Sequence, residues 1–422
     1  MLTRVPRGTR DILPEEAAWW QLLEEKIRTT CKLFGYQEIR TPVFEHTELF
    51  TRSVGEVTDI VAKEMYTFTD RGDRQLTLRP EGTASVARAY LENNLQAKAQ
   101  PVKLYYTGPM FRYDRPQAGR YRQFHQFGVE VFGSQDAAVD AEVILLALFF
   151  FSALGLKEFS LQVNSVGCPR CRGPYRGKLQ EYLKEQLSGL CSDCAERYEK
   201  NPLRVLDCKK KSCQGLLAGV PLLTDSLCHE CEEHFKAVCG ALDELGVEYE
   251  INPRLVRGLD YYTKTAFEII SPALGAQSSI CGGGRYDNLI ATIGGPDIPG
   301  IGFAVGIERV LLALQKENVP APAENATAVF VARAGVSSVQ ALQLTMELRR
   351  AGLPAETDFL GRSLKAQLKY ADKKGIRYAV LLGAEELQKG QAAVRDMRDG
   401  TQQAVDLPGL ADYLAAQLKE AE

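Results

Sequence analysis

The stretch YYTGPMFRYDRPQAGRYRQFHQFGVEVFG, Tyr105–Gly133, decides how this chain is read. Both ends have strand character, and the middle carries Arg112, Arg115, Arg120 and Arg122 around a Pro and a Gly. In the second strand a period of two puts Phe124, Gln126, Gly128 and Glu130 on one face. His125, Phe127, Val129 and Val131 fall on the other. A half-wet antiparallel sheet with its polar side out gives such a pattern. Phe124 on the polar face, and Gly128 between two polar groups, fit a second reading. Glycine inside a strand often marks close approach of a ligand or backbone, so the strand reads as a floor for a small polar molecule. The arginines read either as a solvated loop or as phosphate ligands. Arg112 sits at the strand end, and its planar fork suits phosphate.

Outward from that stretch, 422 residues allow two to four domains with real cores. The net charge of -3 does not announce nucleic acid, which would need a local basic patch. The longest apolar run, Val143–Phe151, is too short to span a bilayer and reads as a buried helix. The N-terminus has arginines but no apolar export core, so no membrane association and a cytoplasmic location are expected. The eleven cysteines include spaced pairs, which in a reducing compartment suggest metal or redox chemistry rather than a disulfide scaffold.

Four regions are expected. Residues 1–167 mix helices and strands, and 168–246 form a charged, cysteine-rich helical insertion. Residues 247–320 resume the first style with "LVRGLDYY", "CGGGRYD" and "GIGFAVGIERV". The proline- and alanine-rich "VPAPAENATA" reads as a linker. Residues 326–422 alternate strand and helix as a small α/β domain with parallel pairing.

Further residues invite two readings each. In "RPEGTASV", Glu81 and Thr83 stand where a helix begins, either as a terminus motif or to capture an ammonium group. Arg257 lies near Tyr261 and Tyr262, which are packing residues or ligand contacts. The glycines before Tyr286 form a tight turn or a crowded backbone. "GIGFAVG" reads as tight packing before a helix whose first turn holds Arg309, and a helix N-terminus with an arginine can hold an anion. Near the C-terminus, Arg362, Lys365, Lys369 and Lys373 recur at helical spacing, giving a solvated face or a phosphate-binding one. Among the cysteines, Cys168, Cys171, Cys191 and Cys194 have near-ribbon spacing for one tetrahedral Zn2+. Cys208 and Cys213, with Cys228 and Cys231, leave room for a second ion, or all eight are reduced thiols.

These pieces together resemble the histidyl-tRNA synthetases of the bacterial type, a family of class II aminoacyl-tRNA synthetases, over essentially the whole chain. "EIRTPVFEHTELF" looks like motif 1, the opening stretch like motif 2 and "GIGFAVGIERV" like motif 3. "LVRGLDYY" and "CGGGRYD" look like the two signatures of the histidine enzymes. The resemblance implies an α+β class II catalytic domain (an antiparallel sheet with helices), a helical insertion and a C-terminal α/β anticodon-binding domain. It implies an enzyme, a histidine–tRNA ligase, that activates L-histidine with ATP and Mg2+ as histidyl-adenylate. The histidyl group then passes to the 3' end of histidine tRNA. By similarity Arg112 grips the α-phosphate, Phe124 stacks on adenine, and Arg120 and Arg309 serve the terminal phosphates. Arg257 stabilises the charge developing on the α-phosphate. Glu81 and Thr83 hold the α-amino group, Gln126 helps hold the substrate, Glu130 and Tyr262 read the imidazole, Tyr286 lines the pocket, and Gly82 and Tyr261 also bind histidine. A homodimer with Pro42 at its interface is expected. Where the family commonly reads Arg-x-Glu in motif 2, this chain has Arg112–Tyr113–Asp114, one methylene shorter. The alternative is a non-catalytic, histidine-binding regulatory subunit of ATP phosphoribosyltransferase. The C-terminal region and the three arginines Arg112, Arg257 and Arg309 argue against it.

Overall fold

The computed structural model describes residues 3–55, 58–275, 278–322 and 327–419. Part of the expected linker, residues 323–326, lies outside them. The chain divides into two compact units, Met1–Ala321 and Pro322–Glu422.

The first unit contains strands β1 (Gln37–Glu38), β2 (Phe44–His46), β3 (Tyr66–Thr69), β4 (Gln75–Leu78), β5 (Val102–Phe111) and β6 (Gln123–Phe132). After them come β7 (Ser160–Ser165), β8 (Glu250–Ile251), β9 (Thr263–Ile270), β10 (Ser279–Arg285) and β11 (Gly300–Gly306). Eight of these form one sheet in the order β1-β5-β6-β11-β10-β9-β7-β8. Its six inner strands pair antiparallel, and only the two-residue edge strands β1 and β8 pair parallel. Strands β2, β4 and β3 make a separate small sheet. Pro42 thus separates two short strands that serve different sheets, because it cannot donate to a ladder.

One face of the large sheet is a dry core. Phe127, Val129 and Val131 of β6 point into it, as their alternation predicts, with Phe267, Ile301, Phe303 and Val305 from neighbouring strands. The helix Ala137–Ala153 packs there, with Val143, Ile144, Leu146, Phe150 and Phe151 buried. Each such side chain contributes about 1.5–3 kcal/mol. The helix is apolar nearly all round because it is flanked by the helices Pro14–Leu33 and His229–Glu244 as well as by the sheet. The helix His229–Glu244, which the sequence places in the insertion, therefore also belongs to this core through Val238 and Leu242.

Beneath the sheet lies a buried ionic network that sequence reading misses. Arg285 and Asp140 are both fully buried and paired. Arg285 Nε donates to Asp140 at 3.1 Å, and Thr265 Oγ1 donates to Asp140 at 2.5 Å. The His234 ring is 2.9 Å from Asp140 Oδ2. Removing one partner of a buried pair leaves the other charge uncompensated. Asp140→Ala is expected to cost about 3–5 kcal/mol in urea unfolding. A loss under about 1 kcal/mol would show that the network tolerates an orphaned guanidinium.

Two glycine-rich stretches correct the reading of the sequence. "CGGGR" is not a turn, and "GIGFAVG" is not merely a lead-in to a helix. They are β10 and β11, in the centre of the sheet. In the stretch YEINPRLVRG (249–258), only Glu250–Ile251 is strand.

In the second unit, β12 (Val329–Ala334) pairs parallel with β13 (Ala355–Thr357) and β14 (Tyr378–Gly383). An antiparallel hairpin of β15 (Gln391–Asp396) and β16 (Gln402–Asp406) extends the sheet. The helix Ser338–Arg350 begins with a capping box between Ser337 and Gln340.

Candidate active site

The other face of the large sheet is open over its centre. A cleft of about 800 Å³ lies there, with Glu81, Thr83, Arg112, Arg120, Phe124, Gln126, Arg257, Tyr261, Tyr262 and Arg309 in its wall. Regions far apart in sequence converge on the four strands β5, β6, β11 and β10.

The glycines make this face usable. Gly128 stands opposite Tyr106 on one side and Ala304 on the other, and Gly302 stands opposite Glu130. A Cβ on Gly128 would come within 2.3 Å of the Tyr106 ring, and one on Gly302 within 2.1 Å of Glu130 Oε2. At Gly282 a Cβ would meet the Arg257 guanidinium at 1.8 Å, and at Gly300 the Tyr286 ring at 2.3 Å. The glycines are slots in which neighbouring side chains lie flat, and this outweighs their poor strand propensity. Gly82 is such a slot too, since its Cβ would fall 2.2 Å from the Tyr106 ring. Gly128 was expected to leave room for a ligand, but here it leaves room for Tyr106. That tyrosine escaped sequence reading, and its only clue is a register that cannot be read without the fold.

Glu130 is buried at the deep end. Its Oε1 accepts from Thr83 Oγ1 at 2.7 Å and its Oε2 from the Tyr286 hydroxyl. Burial pushes its pKa up to about 8, with the nearby Glu81 charge adding to the rise and both hydroxyl donors opposing it. Glu81 caps the helix Thr83–Glu92: its carboxylate accepts from Thr83 N at 2.7 Å and Ala84 N at 2.8 Å. Burial raises its pKa as well. The helix-terminus reading of Glu81 therefore holds, while its side chain also borders the cleft. Tyr261, Tyr262 and Tyr286 form one aromatic cluster, with ring centroids 4.7 Å apart for Tyr261–Tyr262 and 5.6 Å for Tyr261–Tyr286. Tyr286, Glu130 and Gly82 do not line the open cleft; they stand behind its wall. The amide oxygen of Gln126 is buried and has no partner among the described residues, as expected of a group that meets a ligand.

Four arginines, Arg112, Arg120, Arg257 and Arg309, line the same cleft. Arg112 Nε donates to Pro80 O at 2.8 Å, which holds its guanidinium 5.3 Å from the Phe124 ring centroid. Arg309 Nε donates to Ser279 O at 2.6 Å. Burial and the nearby Arg120 charge draw Arg309 below the usual guanidinium range, so two cations converge on one space. Arg257 reaches across Gly282, 3.5 Å from Glu268 and 5.7 Å from the Tyr262 ring centroid. Asp114, the shortened motif 2 acid, pairs with Arg120 at 3.2 Å.

A cleft with a deep carboxyl group, an aromatic ring and converging arginines suits an amino acid joined to a nucleotide. The chain matches the sequence profile of histidyl-tRNA synthetases over residues 8–171 and 203–310, and that of the anticodon-binding domain over 328–417. The chain belongs to the histidyl-tRNA synthetase family. Its catalytic unit has the class II synthetase fold, and its second unit is an anticodon-binding domain. The synthetase is 60% identical over 417 residues to the histidine–tRNA ligase of Desulforamulus reducens, covering 99% of this chain and all of that one. It is 58% identical to that of Pelotomaculum thermopropionicum, over 98% of each chain. The histidyl-tRNA synthetase structure from Staphylococcus aureus superposes with a TM-score of 0.83 at 39% identity, covering 98% of this chain and all of that one. A Bacillus halodurans structure titled as an ATP phosphoribosyltransferase regulatory subunit/histidyl-tRNA synthetase shares the fold at 22% identity and a TM-score of 0.63. The full-length likeness to ligases does not favour the regulatory alternative.

Two expectations need correction. Cys168 and Cys171 do not meet Cys191 and Cys194. They gather with Cys228 and Cys231, while Cys191 and Cys194 gather with Cys208 and Cys213. The linear spacing suggested ribbon-like knuckles, but the chain folds back before closing each set. In the second unit, Lys365, Lys369 and Lys373 are exposed on the helix Leu364–Lys373. Arg362 is not part of that stripe: it bonds Asp358 at 2.9 Å and lies 4.5 Å from the Tyr370 ring centroid.

Proposed function

We propose that this synthetase joins histidine to histidine tRNA in two steps within the cleft, with the following division of labour. Histidine lies at the deep end. Its ring meets Glu130 and Tyr262, beside Tyr261 and with Tyr286 as support. Its ammonium group meets the orphaned Gln126 oxygen and the Glu81–Thr83 turn. Adenine stacks on Phe124. Arg112 and Arg257 hold the α-phosphate from opposite sides, and Arg120 and Arg309 take the terminal phosphates. Mg2+ accompanies ATP and neutralises phosphate charge. Glu268, beside Arg257 in the cleft wall, is the carboxylate suited to it. The observation that carries this reading is the buried Glu130, held by Thr83 behind the wall of a cleft that is lined by Arg112, Arg120, Arg257 and Arg309. Histidine-dependent exchange of labelled pyrophosphate into ATP, with the other amino acids as controls, tests it. Exchange with histidine alone is expected; no exchange from folded protein that still binds histidine would overturn it.

The four segments carry separate tasks in this reading. Residues 1–167 and 247–320 form the adenylate site, 168–246 a metal-binding insertion, and 326–422 the anticodon reader. A homodimer is part of it. Val43, Phe44 and Phe68 are exposed on or beside the small sheet next to Pro42, the kind of apolar patch a partner subunit covers. The cytoplasm suits eleven cysteines that form no disulfide.

The exposed lysines Lys365, Lys369 and Lys373 bind the tRNA backbone in this reading, and Phe359, which is also exposed, offers a base a stacking face. Changing the three lysines to Gln is expected to weaken tRNA charging and lower its salt dependence, by about 0.7 in log–log slope per phosphate contact for single-stranded RNA. Pyrophosphate exchange should stay at its wild-type rate. An equal fall in both activities would make the helix structural.

A further inference from the structure

We infer that the insertion binds two zinc ions, one in each set of four cysteines, and that the second ion fastens a wall of the active-site cleft. The zinc count does not depend on the assignment of roles within the cleft, whereas the positioning role rests on the proposed part of Arg257 there.

Within each set the sulfur atoms all lie within 4.8 Å of one another. Cys168 Sγ is 3.6 Å from Cys171 Sγ and 3.9 Å from Cys228 Sγ, and Cys191 Sγ is 4.0 Å from Cys208 Sγ. A tetrahedral ion with Zn–S bonds of about 2.3 Å sets its ligands about 3.8 Å apart. The observed separations match that edge. None of the eight cysteines is disulfide-bonded. A multi-iron cluster carries bridging sulfides between its thiolates and needs a wider cage, so the space suits one ion per set.

The backbone is arranged for thiolates. Cys168, Cys191 and Cys228 each stand at the N-cap of a helix, with Cys171, Cys194 and Cys231 in the first turn. Amide groups also donate to sulfur: Cys228 N to Cys171 Sγ at 3.1 Å, and Cys191 N to Cys213 Sγ at 3.3 Å. Such N–H···S contacts support metal-bound thiolates from the second shell of ligands. Cys171, Cys194, Cys208, Cys213 and Cys231 are buried. Four buried or half-buried sulfurs packed together without a cation would leave polar atoms facing each other to no gain.

The two sites have different neighbours. The first joins the start of the helix Pro169–Gln186 to the start of the helix His229–Glu244, and so closes the insertion at both ends. The second holds the segment from Cys191 to Cys213. Asp193, Cys208, Lys209 and Lys210 of that segment line the cleft. Between its ligand pairs the segment docks on the signature loop. Arg204 donates to Gly258 O at 2.7 Å, and Asn201 donates to Asp260 Oδ1 at 2.7 Å. The second ion therefore positions the loop that carries Arg257.

Elemental analysis of full-length protein purified without chelator tests the count. About two zinc per chain is expected, falling to about one in Cys231→Ser and in Cys213→Ser. A value near zero, near one in the wild type, or stoichiometric iron would overturn the inference. Should either variant fail to fold, stepwise mercurial titration of the native wild type gives the count instead. Two zinc ions released as eight thiols react supports the inference; release without zinc overturns it. The positioning role predicts that Cys213→Ser lowers kcat for pyrophosphate exchange more than KM for ATP, and lowers kcat more than Cys231→Ser does. Equal effects from the two variants would remove that role.

Discussion

Replacing Glu130 with alanine is expected to abolish histidine-dependent pyrophosphate exchange while sparing ATP binding. Glu130 is the buried carboxyl group behind the cleft wall, and Thr83 and Tyr286 fix both of its oxygens. Imidazole offers at least one N–H, and a site built to accept it discriminates by about 10⁴-fold or more against partners that cannot make the bond. In the proposed reading ATP is held by Phe124 and Arg112, away from Glu130, and its affinity should be kept. Exchange undiminished in the alanine variant would remove Glu130 from the pocket. The glutamine variant adds a stability readout. Burial raises the folded-state pKa of Glu130 from about 4.5 to about 8, so the folded protein holds a proton that the unfolded chain has lost. This contribution is fully present below about pH 4.5 and is lost as pH rises through about 8. Glu130→Gln keeps the shape and cannot ionise. Its melting temperature should therefore fall less than that of the wild type between pH 5 and about 8. Parallel curves would show that Glu130 ionises freely in the folded state.

Arg257→Ala is expected to lower kcat for histidyl-adenylate formation by about 10²–10³-fold with little change in KM for ATP. The guanidinium lies in its slot over Gly282, its Nε has no partner among the described residues, and Tyr262 and Glu268 fix its position. A donor held so before substrate arrives acts where charge develops, at no cost of reorganisation. Lysine cannot reproduce the planar fork, so Arg257→Lys should recover only part of the rate. A variant with raised KM and unchanged kcat would mean that Arg257 only binds the ground state.

Much of this site was legible because period-two alternation is a strong signal. Phe124, Gln126 and Glu130 share a face, and Phe127, Val129 and Val131 share the opposite core, as the sequence of β6 requires. The arginines were legible as candidate anion ligands from chemistry alone. The glycine strands were not. Propensity argues against three consecutive glycines in a central strand, and only the neighbours across the sheet explain them. Tyr106 was hidden for the same reason, because its task depends on Gly82 and Gly128. Asp140 and Arg285 are 145 residues apart, and neither has a local pattern that names its partner. The cysteine sets are hidden because Cys171 and Cys191, from adjacent pairs along the chain, belong to different clusters in space.

The insertion shares its core with the ligand-facing side of the sheet: Tyr175, Leu179 and Leu183 pack in the same cluster as Tyr106, Tyr262 and Tyr286. It is therefore not a cassette that can be excised or grafted. A shortened chain joining residue 167 to 247 would open a hole under the tyrosines. A chimera that borrowed another relative's insertion would have to bring its matching tyrosine bed as well. Recombination between such enzymes should succeed only when floor and wall travel as one block, with crossovers placed outside both.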